Sequence, residues 1–248
     1  MAIRYERAPI VEAIIEIQVP SDHGVGVERI DEALSPLLNS DYPKKSATSS
    51  FQGQLRVFPN PGSSFETAKI GFDFRSQDGK QVFMAHTGRF AFSRLAPYGT
   101  WNDVKAEAQR LWTLYRSIIP VEKASRLAVR YVNKIDFPAA KLEFHEYLKT
   151  YPHVTTGAPD LVTNFFMRLE IPQPDIAAST ILVLASAPGQ HEDVSMILDI
   201  DVFKNPAEGA GITEIWEELE LLRERKNLYF ESAITDATRR LFGKRTEY

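Results

Sequence analysis

Residues 11–19 alternate without a break. Val11, Ala13, Ile15, Ile17 and Val19 hold the odd positions, and Glu12, Ile14, Glu16 and Gln18 the even ones. A period of two marks a β-strand with one face in a core and the other toward polar surroundings. The pattern returns at residues 127–137, where Leu127, Val129, Tyr131 and Ile135 alternate with Arg130 and Lys134, in phase with Arg126 just before them. A chain that repeats such a strand at its midpoint is constrained to a large sheet with one apolar face.

Each of these strands leads into the same order of elements. After the first, Pro20-Ser21-Asp22-His23-Gly24 ends the extended run, and Val27, Ile30, Leu34 and Leu37 predict one stripe of a helix that closes near Asn39–Pro43. Strands are predicted at 51–58, 65–75, 81–86 and 90–94, with turns at Pro59-Asn60-Pro61-Gly62, Asp78-Gly79 and Thr87-Gly88. Thr100, with Asp103 three residues on, caps a helix carrying Val104, Ala108, Leu111, Tyr115 and Ile118, which Pro120 stops. The second half reads as a short helix near 144–149 and strands at 161–171, 180–187 and 194–203. Thr213 is the expected cap of a helix bearing Ile215, Trp216, Leu219 and Leu222, and a further helical stretch covers 229–241.

The expected fold class is therefore α+β: two tandem β-α-β(3–4)-α repeats, 1–122 and 123–248, forming one curled antiparallel sheet with helices on one face. No Pro/Gly/Ser-rich linker separates the halves, so they read as one continuous unit. The order of elements resembles the saddle of the TATA-binding-protein fold, a likeness that carries no function with it.

Apolar residues make up 44% and charged residues 25%, which places the chain among globular proteins. A net charge of −4 argues against general nucleic-acid binding, which rests on clustered Lys and Arg. With no cysteine, disulfides, thiolate metal sites and a cysteine nucleophile are all impossible, and a reducing cytoplasm is the expected location. No signal-peptide core and no membrane-length apolar run is present, so no membrane association is expected. Gly-x-Ser-x-Gly, phosphate-loop and dinucleotide fingerprints are absent, and 13 glycines leave no glycine-rich cradle. The five histidines, His23, His86, His145, His153 and His191, lack metal-ligand spacing. No metal or cofactor is expected.

Tyr5-x-x-x-Pro9-Ile10-x-Glu12-Ala13-Ile14, Leu198-Asp199-Ile200-Asp201 and Phe230-Glu231-x-x-Ile234-Thr235-Asp236 span the chain in order. Together they resemble a sporadically distributed, uncharacterised family of prokaryotic proteins of about this length. The resemblance implies no activity. Asn227–Ser232 is similar to a tag-removal protease site, but Lys226 and Glu231 depart from it, and the segment reads as native protein.

Five residues are candidates for a site. Asp199 and Asp201, two apart on a strand, project from one face and could hold a cation or share acid–base work; the alternative is a solvent-facing pair opposite Met196, Leu198, Ile200 and Val202. Glu12 and Glu16 share a face, as do Arg126, Arg130 and Lys134, so the two rows are expected to pair where the repeats meet. Glu12, Glu16 and Arg130 are then either structural or part of a ligand site. Arg239, Arg240, Lys244 and Arg245 read as cations favoured at a helix C-terminus. Phe65, Phe72, Phe74, Phe83, Phe90 and Phe92 crowd adjacent strands, and the opposite parity of Phe65 and Phe72 puts aromatics on both faces unless a bulge intervenes. A two-faced aromatic sheet suggests a protein partner. The expected function is a non-enzymatic protein-interaction module binding another protein or itself as a homodimer. The alternative is an enzyme or small-ligand binder whose site lies in the sheet concavity among Glu12, Glu16, Arg130, Asp199 and Asp201.

Overall fold

The computed structural model describes residues 3–56, 62–137, 143–153, 164–188, 194–206, 209–211, 213–243 and 245–247, the side chains of 3, 52–56, 62–65 and 245–247 excepted. In chain order the first half holds β1 (Ile3–Tyr5), β2 (Ile10–Gln18), α1 (Val27–Leu38), β3 (Lys44–Arg56), β4 (Gly62–Arg75), β5 (Gln81–His86), β6 (Arg89–Leu95) and α2 (Trp101–Arg116). The second holds β7 (Lys123–Ala124), β8 (Arg126–Phe137), α3 (Phe144–Tyr147), β9 (Phe166–Gln173), β10 (Ala178–Ala187), β11 (Val194–Lys204), β12 (Ala210–Gly211), α4 (Ile215–Ala233), α5 (Asp236–Leu241) and β13 (Arg245–Glu247).

The protein is α+β, built on an open antiparallel sheet of nine strands in the order β3-β4-β5-β6-β2-β8-β11-β10-β9. The two alternating strands lie side by side at its centre, with Ile15 opposite Val129 and Ile17 opposite Leu127. One face is continuous apolar core: Ala13, Ile15, Ile17, Phe90, Phe92, Val129, Tyr131, Ile200 and Val202 are all buried. α2 packs on this face through Trp112 and Tyr115, whose rings lie 5.2 and 5.8 Å from that of Phe90. α4 lies against β8 and β11, and α1 against β4 and β5. With these helices on one side, the other face of the central strands is, among the described residues, left to its own side chains.

Local signals explain most element ends. Thr100 and Asp103 form a full capping box, each side chain reaching the other's backbone N–H, so two backbone donors at the start of α2 are satisfied. Gly79 takes φ 73° in the hairpin between β4 and β5, a conformation that favours glycine. Gly71 has a different reason: a Cβ there would stand 2.3 Å from the Ala85 carbonyl oxygen.

Several expectations are corrected. Leu37 is 56% exposed, and the buried stripe of α1 runs instead through Ile30, Leu34 and Leu38. Thr213 caps nothing: α4 starts after Glu214 with no side-chain cap. The stretch 229–241 is not one helix, because α4 runs on to Ala233 and α5 restarts at Asp236; Asn227–Ser232 therefore lies inside α4. α2 ends at Arg116, a turn before Pro120. Phe72, Phe74, Phe83, Phe90 and Phe92 are all buried. The β3–β4 register shifts between Thr48 and Ser49, opposite Gly71 and Lys69, so a parity count cannot be carried along β4 from Phe72 back to Phe65. The Phe65 side chain, the turn at 59–61, residues 161–163 and His191 lie outside the described residues. Pairing of β1 with β13 and of β7 with β12 has no counterpart in the sequence reading.

Candidate functional site

Glu12, Glu16, Arg130, Asp199 and Asp201 all lie on the face away from the helices, on the three adjacent strands β2, β8 and β11. Glu16 stands opposite Ala91 on β6 and Ala128 on β8. Neither neighbour fills the space beside it. Arg89 and Arg126, each opposite Gln18, lean one step along their strands into that space. Arg89 Nε donates to Glu16 Oε2 at 2.6 Å, Arg126 Nη1 donates to Glu16 Oε1, and Gln18 Nε2 donates to the same oxygen at 2.9 Å. Arg126 also donates through Nη2 to Asp201 Oδ2 at 3.0 Å, its guanidinium 4.6 Å from the centre of the Phe203 ring. Arg130 grips Asp199 with two nitrogens, Nε at 2.9 Å from Oδ1 and Nη2 at 2.6 Å from Oδ2. Ser93 donates its hydroxyl to Glu12.

The acidic and basic rows are thus interleaved rather than directly apposed. Glu12 faces Val132 and Glu16 faces Ala128, while Arg126 and Arg130 face Gln18 and Ile14. Of the pairs expected between the two rows, the described contacts include Glu16–Arg126, on a diagonal. Arg130 turns to β11, and Lys134 lies 3.5 Å from Asp136 on its own strand. Asp199 and Asp201 do share a face, but not as a solvent-facing pair: both are covered by arginine.

Burial alone would raise the Glu16 carboxyl, but the charges of Arg89 and Arg126 overcome it and hold the group below the usual range. For Asp201 burial wins, assisted by repulsion from Glu16, and the carboxyl is raised despite Arg126 and Arg130. Its Oδ1 is buried with no hydrogen-bond partner. Ile14, Glu16, Gln18, Arg89, Arg126, Ala128, Arg130 and Asp201 line a cavity of about 260 Å³. The side chains are layered. Arg130 is 46% exposed and Arg89 35%, whereas Asp199 is 11% and Glu16 13% exposed. A visitor meets guanidinium groups first, with the carboxylates beneath them. Sequence reasoning missed Arg89, whose signal was alternation with Phe90 and Phe92 just after the Thr87-Gly88 turn.

A second polar cluster lies on the helix side and gathers the two ends of the chain. Tyr5 donates to Glu231 Oε1 at 2.8 Å, and Arg239 donates to Glu231 Oε2 at 2.9 Å and to Asp236 at 2.7 Å. Burial, then the Glu231 bond, pushes the Tyr5 hydroxyl up to about 12. Nearby, Lys226 is buried with its ammonium 3.6 Å from the centre of the Tyr131 ring. Burial, with Arg223 acting in the same direction and Glu231 against it, brings Lys226 down to about 7.

A larger cavity, about 480 Å³, opens beside the start of α2. Its polar groups are engaged with one another: Tyr42 bonds Glu107 at 2.7 Å, and Arg110 holds the same carboxylate at 2.7 Å. Among the described residues no group of three or more His, Asp or Glu side chains could hold a metal ion, and no helix is long and apolar enough to cross a membrane. No known family model matches this chain, and neither does any curated protein.

Proposed function

We propose that this protein is a non-catalytic interaction module whose receptor surface is the arginine-topped face of β6, β2, β8 and β11. The partner group it fits is an acidic side chain of another protein. The layering of exposed guanidinium over buried carboxylate carries this reading. Arg89 and Arg130 are already held in place by Glu16 and Asp199, with Arg126 anchoring the layer beneath them, so little side-chain entropy remains to be lost when a carboxylate docks on their outer edges. A cavity of about 260 Å³ falls below the range of about 300–1,000 Å³ usual for small-molecule sites, and suits one side chain of a larger partner. On an array of short random peptides, the protein is expected to retain acidic sequences in a salt-sensitive way. Arg130→Glu should reduce that retention at least tenfold, with Arg29→Ala on the exposed side of α1 leaving it unchanged. Equal retention by the wild-type and Arg130→Glu proteins would refute the assignment.

A second reading, a small-ligand or acid–base site, is favoured by one observation, the buried unpartnered Oδ1 of Asp201 beside the cavity. A ligand donor would satisfy it. In the ligand-free protein, Asp201→Asn is expected to stabilise the fold at neutral pH by about 1 kcal/mol, because it removes a poorly paired buried charge. The urea midpoint checks this, and a fall in the midpoint would mean that the charged form is the one the fold needs.

The same reading treats the halves as a duplicated unit with the saddle-like order of the TATA-binding-protein fold. Supporting it, β2 and β8 are central neighbours, flanked by β6 and β11, the last strand that each half gives to the nine-stranded sheet. Membership in the prokaryotic family drawn from the three motifs gains support from the placing of the first motif beside each of the others. Tyr5 reaches Glu231, and Glu12 shares a face with Asp199 and Asp201.

A further inference from the structure

β9 is the last strand of the sheet, and its outer edge differs in kind from the arginine face. Ser186 N–H donates to the Phe165 carbonyl at 3.0 Å, so in this antiparallel ladder the odd residues of the strand turn their backbone groups inward to β10. The even residues, Phe166, Arg168, Glu170 and Pro172, turn theirs outward. Phe166 is 71% and Leu169 38% exposed, high values for strand residues of this size. Arg168 and Glu170 are about half exposed and pair only with each other, at 3.1 Å, among the described contacts.

We propose that this edge is the interface with a second copy of the chain, two β9 strands pairing antiparallel about a two-fold axis through Leu169. Only outward-facing residues can exchange ladder bonds across such a seam, which restricts the register to even opposite even. Of the nearby registers, one sets Arg168 opposite Arg168 and another Glu170 opposite Glu170, and like charges directly opposed are destabilising. The register centred on Leu169 sets each Arg168 against the other copy's Glu170, twice. It brings the two Leu169 side chains together as a close non-hydrogen-bonded pair, with Met167 facing Ile171 on either side. An axis perpendicular to the sheet keeps both helix layers on one face, so the helix-side core continues across the seam. Such an isologous contact closes on itself and leaves no repeating edge. Pro172, which has no N–H to donate, ends the ladder on each side.

Sedimentation equilibrium of the full chain tests this assignment. The wild-type protein is expected to be a dimer at micromolar concentration. Arg168→Glu, which opposes two carboxylates at each of the two positions, should raise the dissociation constant by about tenfold or more. The exchanged variant Arg168→Glu with Glu170→Arg should recover the wild-type value, which a misfolded single variant could not explain. A monomeric wild-type protein, or a dimer indifferent to Arg168→Glu, would overturn the proposal. Recovery failing in the exchanged variant while circular dichroism shows native secondary structure would overturn the register.

Discussion

Lys226→Met is expected to stabilise this protein at neutral pH, by roughly 1–4 kcal/mol. Lys226 sits on the inner side of α4, buried over the Tyr131 ring, with no carboxylate at salt-bridge distance among the described contacts. A cation over an aromatic face recovers about 0.5–2 kcal/mol, whereas a fall from 10.5 to about 7 corresponds to about 1.4 kcal/mol for each unit. Desolvation therefore wins. Between about pH 7 and 10.5 the unfolded chain still holds the Lys226 proton that the folded chain has shed. More protons bound in the unfolded state means that stability rises with pH across that window. Below pH 7 both states are protonated, and the full cost of burying the charge is present. Methionine keeps the length and apolar stem without that cost. Urea melts of the two proteins should differ most at and below pH 7 and converge toward pH 10. Above that the buried tyrosines act in the opposite sense: Tyr5, up to about 12, stays protonated in the folded state only. A less stable Lys226→Met protein at pH 7 would show that the ammonium is held by more than a ring.

The sheet and the side-chain faces of its central strands were legible because they rest on period-two patterning in uninterrupted runs. Residues 11–19 and 127–137 announce both strands, and from Ala13 onward in β2 and along β8 the buried sides are the ones the alternation marks; a register shift between Ile10 and Glu12 leaves Val11 only partly buried. Legibility stopped wherever a single residue changed the count. The register shift opposite Thr48 and Ser49 broke the parity count along β4 on which the two-faced aromatic sheet had rested. The Ile234–Thr235 break in the last helical stretch has neither proline nor glycine to announce it; there Ile234 forms a bridge with Leu148 instead. Site residues were legible by face but not by partner. The spacing placed Glu16 and Arg130 on one side of the sheet, yet the offset between strands decides who meets whom, and offset is a tertiary quantity. Lys226 was hidden for a related reason: in sequence it is one more cation after Arg223 and Arg225, and only the packing of α4 turns it inward.

That offset makes Arg126 the residue of the site whose loss should cost most. It bridges Glu16 and Asp201 across three strands, with its side chain 19% exposed and those of its partners 13% and 17%. Removing one member of a buried ion network leaves its partners' charges desolvated without compensation, which typically costs about 3–5 kcal/mol. Glu16 keeps Arg89 at 2.6 Å, so its share of the loss is moderated. Asp201 keeps no described hydrogen bond at either oxygen, and its carboxyl is already raised. Arg126→Ala should therefore destabilise by about 3 kcal/mol at pH 7, read from the urea midpoint at unchanged slope. The deficit should shrink as the pH falls, since Asp201 can then take up a proton and stop being a buried charge. Neutralising the orphaned groups tests the cause directly. Adding Asp201→Asn to Arg126→Ala should return about half of the lost stability, because an amide needs no counter-ion, and residues in contact are expected to couple by about 0.5–3 kcal/mol. Arg130→Ala, which exposes Asp199 on the more open side of the cluster, should cost less than Arg126→Ala. If Arg126→Ala instead costs under about 1 kcal/mol, or Asp201→Asn restores nothing, the arginine is held for a partner and not for the fold.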